Sequence, residues 1–230
     1  MTSTISRTEI DVRMLEVRTL LSFIKTQEST ATPPVDSDDV KIIRGLFYVH
    51  LYGAFEKSVN EVVIHALREI ASMNIKHGHA ALDFLPVSLA QTFQSLQSPT
   101  SDAKWGQRVK FVQSMQSLDV CKIKDDIFAD QLQNVSPTRL IEILNYLCIT
   151  QHEFVQTDLL AVSEVVEKRN QVAHGRTNPL RVGSSVKSSE LEGRLQSVLS
   201  VMDQLILCVD NGLAAMKFVK NEFHAEYAAQ

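Results

Sequence analysis

Residues 45–55 read Gly45-Leu46-Phe47-Tyr48-Val49-His50-Leu51-Tyr52-Gly53-Ala54-Phe55, eleven positions without a formal charge. They lie inside a proline-free span from about residue 39 to residue 73. No strand-like alternation of apolar and polar residues runs through them. A helix that is apolar nearly all round has to be covered on every side, so the span predicts a long, central, buried helix. Everything else is read as what covers it.

Before it, residues 7–26 predict a first helix, with Ile10, Met14, Val17, Leu20, Leu21 and Ile24 at three- and four-residue spacings. Residues 27–38 carry Pro33-Pro34 among polar residues and predict an exposed loop, with Asp38 or Asp39 as the next helix cap. After it, residues 74–135 predict a variable helical insert. It breaks around His77-Gly78-His79, before Pro86, and resumes in short helices at 87–97 and 101–117; 118–135 follows no clear period. Ser136-Pro137 starts a further helix. Another covers about 156–174 and stops at Gly175, with Pro179 preventing its resumption. A polar loop, residues 178–189, leads to a long last helix over about 188–224. No β pattern persists anywhere. The expected architecture is one all-α domain over residues 1–230, a helical bundle with long central and C-terminal helices.

Composition agrees. The chain has 230 residues, 44% hydrophobic and 22% charged, which excludes wholesale disorder. Only 8 Gly and 6 Pro supply turns, too few for a β-sandwich or barrel. A net charge of −4 argues against a non-specific DNA coat. Cys121, Cys148 and Cys208 are far apart and odd in number, so they are read as reduced core thiols rather than a disulfide framework or a zinc ribbon. Charges in the N-terminal segment argue against a signal peptide, and no uncharged apolar run approaches a membrane span. A cytoplasmic protein without a membrane partner is expected.

Charge distribution says more than the total. From Lys168 to Ser189 there is no acidic residue but five basic ones, Lys168, Arg169, Arg176, Arg181 and Lys187. Five positive charges in a chain of net −4 leave −9 elsewhere. Within this stretch stands Arg169-Asn170-Gln171-Val172-Ala173-His174-Gly175. Histidine exchanges a proton near neutral pH, and arginine holds a phosphate with two parallel hydrogen bonds. Such groups can cleave RNA without a metal: a base takes the 2′-OH proton, a cation steadies the phosphorane, and an acid protonates the leaving 5′-oxygen. On an ideal helix Asn170 and His174 lie about 40° apart, whereas Arg169 and His174 lie about 140° apart. A long arginine can reach around where the helix ends, and the carbonyls exposed at that end attract a cation. Basic residues in a last helical turn also occur for dipole reasons alone, so His174-Gly175 can equally be read as a simple cap.

The motif Arg169-Asn170-x-x-x-His174-Gly175 resembles the Arg-x4-His signature of the HEPN superfamily. The stretch from Arg44 to Val59, with Tyr52 and Glu56 in a Tyr-x-x-x-Glu pattern, is similar to the long helix of its toxin-like single-domain branch, the MAE or RiboL-PSP type. The likeness covers roughly residues 40–75 and 136–215. It implies a metal-independent endoribonuclease that cuts RNA, acting as a toxin or defence effector. It further implies a homodimer whose two motif helices meet at the two-fold to form one composite cleft. By that carry-over Arg169 and His174 are the catalytic pair, and Asn170 orients or contacts the phosphate. No metal or other cofactor is implied. The toxin likeness leaves room for an antitoxin partner. Control by modification of a tyrosine two residues after the His is argued against, since Arg176 stands there.

Other positions were weighed against the same site. Glu56 follows the uncharged run, where a lone carboxylate is costly unless paired. Two readings stand: it pairs with Arg169 or another site cation beside Tyr52, or it begins the solvated face continuing to Lys57 and Glu61. Lys168, Arg176 and Arg181 are candidate RNA-phosphate contacts. Arg44 could join the cluster or lie exposed, and exposure is expected. His77 and His79 do not complete a metal site and are read as a flexible surface loop; His50 and His65 are read as core or interface histidines. The competing function is a non-catalytic helical HEPN module for dimerisation or for binding a partner or nucleotide. A Gly-rich phosphate loop is absent, which weakens the nucleotide version.

Overall fold

The computed structural model describes residues 7–97 and 104–228. Among them there is no strand, only isolated bridges between Lys76 and Val120 and between Ala80 and Val219. Helix α1 spans Thr8–Gln27 and α2 spans Asp38–Ser72. Short α3 (Leu85–Ser88), α4 (Ala90–Gln97), α5 (Lys104–Ser114) and α6 (Ala129–Leu132) follow. Then come α7 (Pro137–Tyr146), α8 (Gln156–Ala173), α9 (Pro179–Ser184), α10 (Ser188–Ala215) and the short α11 (His224–Tyr227).

The 35-residue α2 is the axis, packed against α1, α8, α9 and α10. Phe47, Tyr48, Leu51, Tyr52, Phe55, Val59, Val62, Val63, Ala66, Leu67 and Ile70 are all buried on it. Its cover is incomplete, contrary to the expected all-round burial. Leu46 and Gly53 are exposed, and Val49 and His50 half-exposed, along one stripe facing an open groove beside α1. Four residues at 46, 49, 50 and 53 share a helix face, so the open side is a single strip. Ser37, one residue earlier than expected, caps α2 by accepting a hydrogen bond from the Val40 N–H; Asp38 and Asp39 fall in the first turn. Helix α10 is by length and composition apolar enough to cross a membrane, but its apolar stripe packs on α2 and α8.

Further expectations need correction. The first concerns residues 178–189, where Pro179 opens a helix instead of merely ending one. Asn178 caps α9 by accepting from the Arg181 N–H at 2.8 Å, and Val182 and Gly183 are buried. Glycine makes this possible. A Cβ on Gly183 would lie 1.8 Å from the Lys41 carbonyl oxygen, and one on Gly45 would lie 2.1 Å from that of Pro179. The two helices therefore meet backbone to backbone, a contact that hydrophobic periodicity does not register.

The second concerns the C-terminal helix, which stops at Ala215 rather than near residue 224. Met216 takes a left-handed φ of 47°, and the chain turns to bury Phe218 and Val219 against the 80–84 loop. That loop is not a flexible surface either. His79 is buried, stacked on Phe223 at 3.7 Å, with Nδ1 at 2.9 Å from the Tyr227 hydroxyl. His77 Nδ1 lies 3.4 Å from Cys121 Sγ. All three cysteines are free and buried, and burial pushes the Cys121 and Cys148 thiols up to about 11. Of the helix expected at 101–117, residues 101–103 lie outside those described, and α5 ends at Ser114 rather than near 117.

The third concerns Arg44, which is buried, not exposed. It pairs with Glu28 at 2.5 Å and Asp36 at 2.6 Å, both from the 27–38 loop. Glu28 also accepts from the Ser188 N–H at 2.8 Å and the Ser188 hydroxyl at 2.6 Å, so its carboxylate sits on the N-terminus of α10. Burial acts to raise the pKa of Glu28, but the Ser188 hydrogen bonds and Arg44 outweigh it and hold it below the usual range. The Ser29 N–H, with Arg44, does the same for Asp36. The loop is thus tied to α2 and α10 at its two ends.

Two outcomes are expected. Gly183→Ala should destabilise by about 3 kcal/mol or more, because the added methyl meets a backbone carbonyl that cannot move aside. Gly53→Ala, where nothing lies within 4 Å, should stabilise by about 0.5–1 kcal/mol through helix propensity; urea midpoints compare the two. Separately, carboxylates with depressed folded pKa values contribute stability above their unfolded pKa and lose it as pH falls through the folded one. Melting temperature should therefore fall steeply below about pH 4, and Glu28→Gln should be less stable at neutral pH with a shallower acid decline.

Candidate active site

Helix α8 carries the motif and leaves the core as it proceeds. Leu159, Ala161, Val162 and Val165 are buried, but from Val166 onward no residue of the helix is. Arg169 and Asn170 are half-exposed, and His174, Gly175 and Arg176 are exposed. His174 is the C-cap, and Gly175 follows at φ 65°, a left-handed conformation that suits glycine. The Thr177 N–H returns to the Gln171 carbonyl at 3.0 Å, folding the chain toward α9. The helix end predicted at Gly175 is present.

The Arg169 side chain packs on α2. Its guanidinium carbon stands 4.4 Å over the ring of Tyr52, on α2. Its Nη1 donates to the Asn170 side-chain oxygen at 2.8 Å and to the side-chain oxygen of Asn134. Asn134 precedes α7 and adopts φ 58°. Its backbone N–H donates to Glu56 Oε1 at 2.8 Å. The Tyr52 hydroxyl donates to the same oxygen at 3.0 Å and lies 3.4 Å from the Val135 carbonyl. Burial foremost, then the Glu56 carboxylate, pushes the Tyr52 hydroxyl well above its ordinary pKa, so it remains a donor.

Four of the residues singled out from sequence, Tyr52, Glu56, Arg169 and Asn170, therefore form one cluster. Glu56 is not an ion-pair partner of Arg169; the tyrosine hydroxyl and the Asn134 N–H satisfy it instead, with Asn134 bridging to the arginine. No hydrogen bond joins His174 to the cluster among the described residues. Lys168 lies on α8, Arg176 in the turn and Arg181 on α9, and their side chains make no ion pair or hydrogen bond among the described residues. Among those residues no group of three His, Cys, Asp or Glu side chains is placed to hold a metal. Asn134 was missed in the sequence. An Asn just before Ser136-Pro137 signals a left-handed turn, but not what its side chain reaches.

The two buried-end arginines differ in a way that bears on chemistry. Arg44 is neutralised by two carboxylates. Arg169 is held by an aromatic face and two neutral amide oxygens, which align it without cancelling its charge. A model of the family described as RiboL-PSP-HEPN matches residues 8–211, spanning α1 through most of α10 and so the whole of this corner. The chain belongs to the RiboL-PSP-HEPN family. That family lies within the HEPN superfamily, which includes endoribonucleases and also proteins with other roles. No curated protein and no solved structure matches the chain.

Removing only the tyrosine hydroxyl is informative. Tyr52→Phe should keep the ring under Arg169 but leave Glu56 with one donor fewer. A loss of about 1.5–3 kcal/mol in stability is expected from urea unfolding, the size of a hydrogen bond to a charged group.

Proposed function

We propose that this HEPN protein is a metal-independent endoribonuclease, with Arg169 and His174 as its catalytic pair. What carries the reading is the state of Arg169: held by a ring and two amide oxygens, unpaired with any carboxylate among the described residues, half-exposed, and five residues before the exposed His174 on α8. A cation kept charged and oriented costs little reorganisation when a phosphorane forms against it. Half-exposed Lys168 and exposed Arg176 and Arg181 extend the positive surface on which the RNA backbone would lie.

The chemistry is transesterification. The RNA 2′-hydroxyl loses its proton to a base and its oxygen attacks phosphorus. The P–O5′ bond breaks, and His174 returns a proton to the leaving oxygen. The products are a 2′,3′-cyclic phosphate and a 5′-hydroxyl. One chain offers a single exposed His and a single such Arg at this corner, and two histidines serve the base and acid roles more simply than one. A homodimer that brings two α8 ends together supplies them. An activity of this kind suits a toxin or defence effector restrained by a partner protein.

Incubating the purified chain with total RNA in EDTA tests this directly. The wild type should cut, leaving cyclic phosphate ends, while His174→Ala folds normally and does not cut. Arg169→Lys should lose roughly 10²-fold, because lysine lacks the planar fork and the ring stacking. Inhibition by EDTA reversed by a divalent ion would overturn the mechanism. A wild type that binds RNA but leaves it intact would favour the non-catalytic module, and a monomer by sedimentation would undercut the two-His arrangement.

A further inference from the structure

We propose that Asn134, outside the motif and outside α8, is a positioning residue for Arg169: it fixes which edge of the guanidinium faces a phosphate and does so without neutralising it. This rests on the reading of Arg169 as a phosphate-binding group. The geometry that points to it is the distribution of hydrogen bonds on the guanidinium. Asn134 Oδ1 and Asn170 Oδ1 both accept from Nη1, and that nitrogen has only two hydrogens to give. Among the described residues nothing accepts from Nε or Nη2. Those two N–H groups lie along one edge of the plane and form the parallel pair that grips a phosphate or carboxylate. The Tyr52 ring covers one face. One face and one nitrogen are thus occupied, and the gripping edge stays open.

Asn134 suits this task in three respects. Its φ of 58° is one that few residues other than Asn and Gly adopt readily. Its backbone N–H is anchored on Glu56, which the buried Tyr52 holds from the other side. Its side-chain acceptor is an uncharged amide, so Arg169 is aimed and keeps a full positive charge. An aspartate has the same shape and tolerates the same φ, but would convert the contact into an ion pair. A glycine accepts the same φ, keeps the N–H to Glu56 and deletes only the contact to Arg169.

The experiment compares the full chain with Asn134→Gly and Asn134→Asp. The probe is a fluorescent single-stranded RNA oligonucleotide carrying 2′-O-methyl groups throughout, which cannot be cleaved because its internal nucleophile is blocked. Affinity is measured by anisotropy across a salt series, with melting temperature as the folding control. Asn134→Asp should weaken binding about tenfold and reduce the salt slope by about one, since one phosphate-neutralising charge is lost. Asn134→Gly should weaken it roughly fivefold, the worth of one hydrogen bond, with the slope unchanged because the charge remains. A merely structural role would move the melting temperature and not the slope. Wild-type affinity and slope in both variants would overturn the proposal, as would a wild type that does not bind the probe. Cleavage of unmodified RNA is followed in parallel. Binding that shifts as expected without any wild-type cleavage leaves Asn134 as the positioning residue of an RNA-binding site and removes the ribonuclease reading alone.

Discussion

A helix of 35 residues with buried apolar side chains on most of its circumference cannot exist in water by itself, and the rest of this chain is arranged around that fact. Four helices share the work of covering α2. Three of them, α1, α8 and α10, do it with ordinary side-chain interdigitation. The fourth, α9, is only six residues long and has little to bury, so it comes close enough for backbones to touch. The interlocked Gly45 and Gly183 set where the chain must be soon after it leaves α8, and hence the sharpness of the turn through His174 and Gly175. The position of the motif's histidine is thus a consequence of how α2 is covered.

The same helix takes part in anchoring two arginines, its own Arg44 and Arg169 of α8, and they illustrate two uses of the residue. Near its start, Arg44 is enclosed by Glu28 and Asp36, and Glu28 in turn sits on the first turn of α10. One positive charge faces two negative ones, so the cluster fixes geometry and offers nothing to an incoming anion. Further along, Tyr52 presents its ring to Arg169 and its hydroxyl to Glu56. The carboxylate is satisfied by an O–H and an N–H, while the guanidinium is satisfied by a ring and amide oxygens. Opposite charges are bridged through Asn134 without being joined, and Arg169 stays half-exposed. In a cluster built only to stabilise the fold, the direct pair would be the simpler solution.

Sequence periodicity was sufficient for the long elements. The apolar spacing in residues 7–26 and the uncharged run at 45–55 predict α1 and α2 because each buries a continuous stripe. Gly175 predicts the end of α8 because a left-handed residue is required there. Period failed where another force decides. Helix α9 depends on two glycines from segments far apart in sequence. The early end of α10 depends on Phe218 finding a place beside the 80–84 loop. His79 looked like surface because nothing near it in sequence reveals Phe223 and Tyr227. Arg44 looked exposed for the same reason: its partners sit in a polar loop that, by composition, belongs outside. At the site, Arg169, Asn170, Tyr52 and Glu56 were legible through motif resemblance, and Asn134 was not, since its role is created by a fold-level approach.

The division of labour within α8 follows from where the helix stops being buried. Up to Val165 it is held by the core, and Arg169 and Asn170 lie about one turn beyond, close enough to inherit that rigidity yet half-open to solvent. His174, at the cap, has an exposed side chain with no partner among the described residues. A cation that must be aimed benefits from fixed neighbours, and it has three. The core thus fixes the arginine through its neighbours, while the histidine stands beyond the last buried turn, its side chain unpartnered among the described residues.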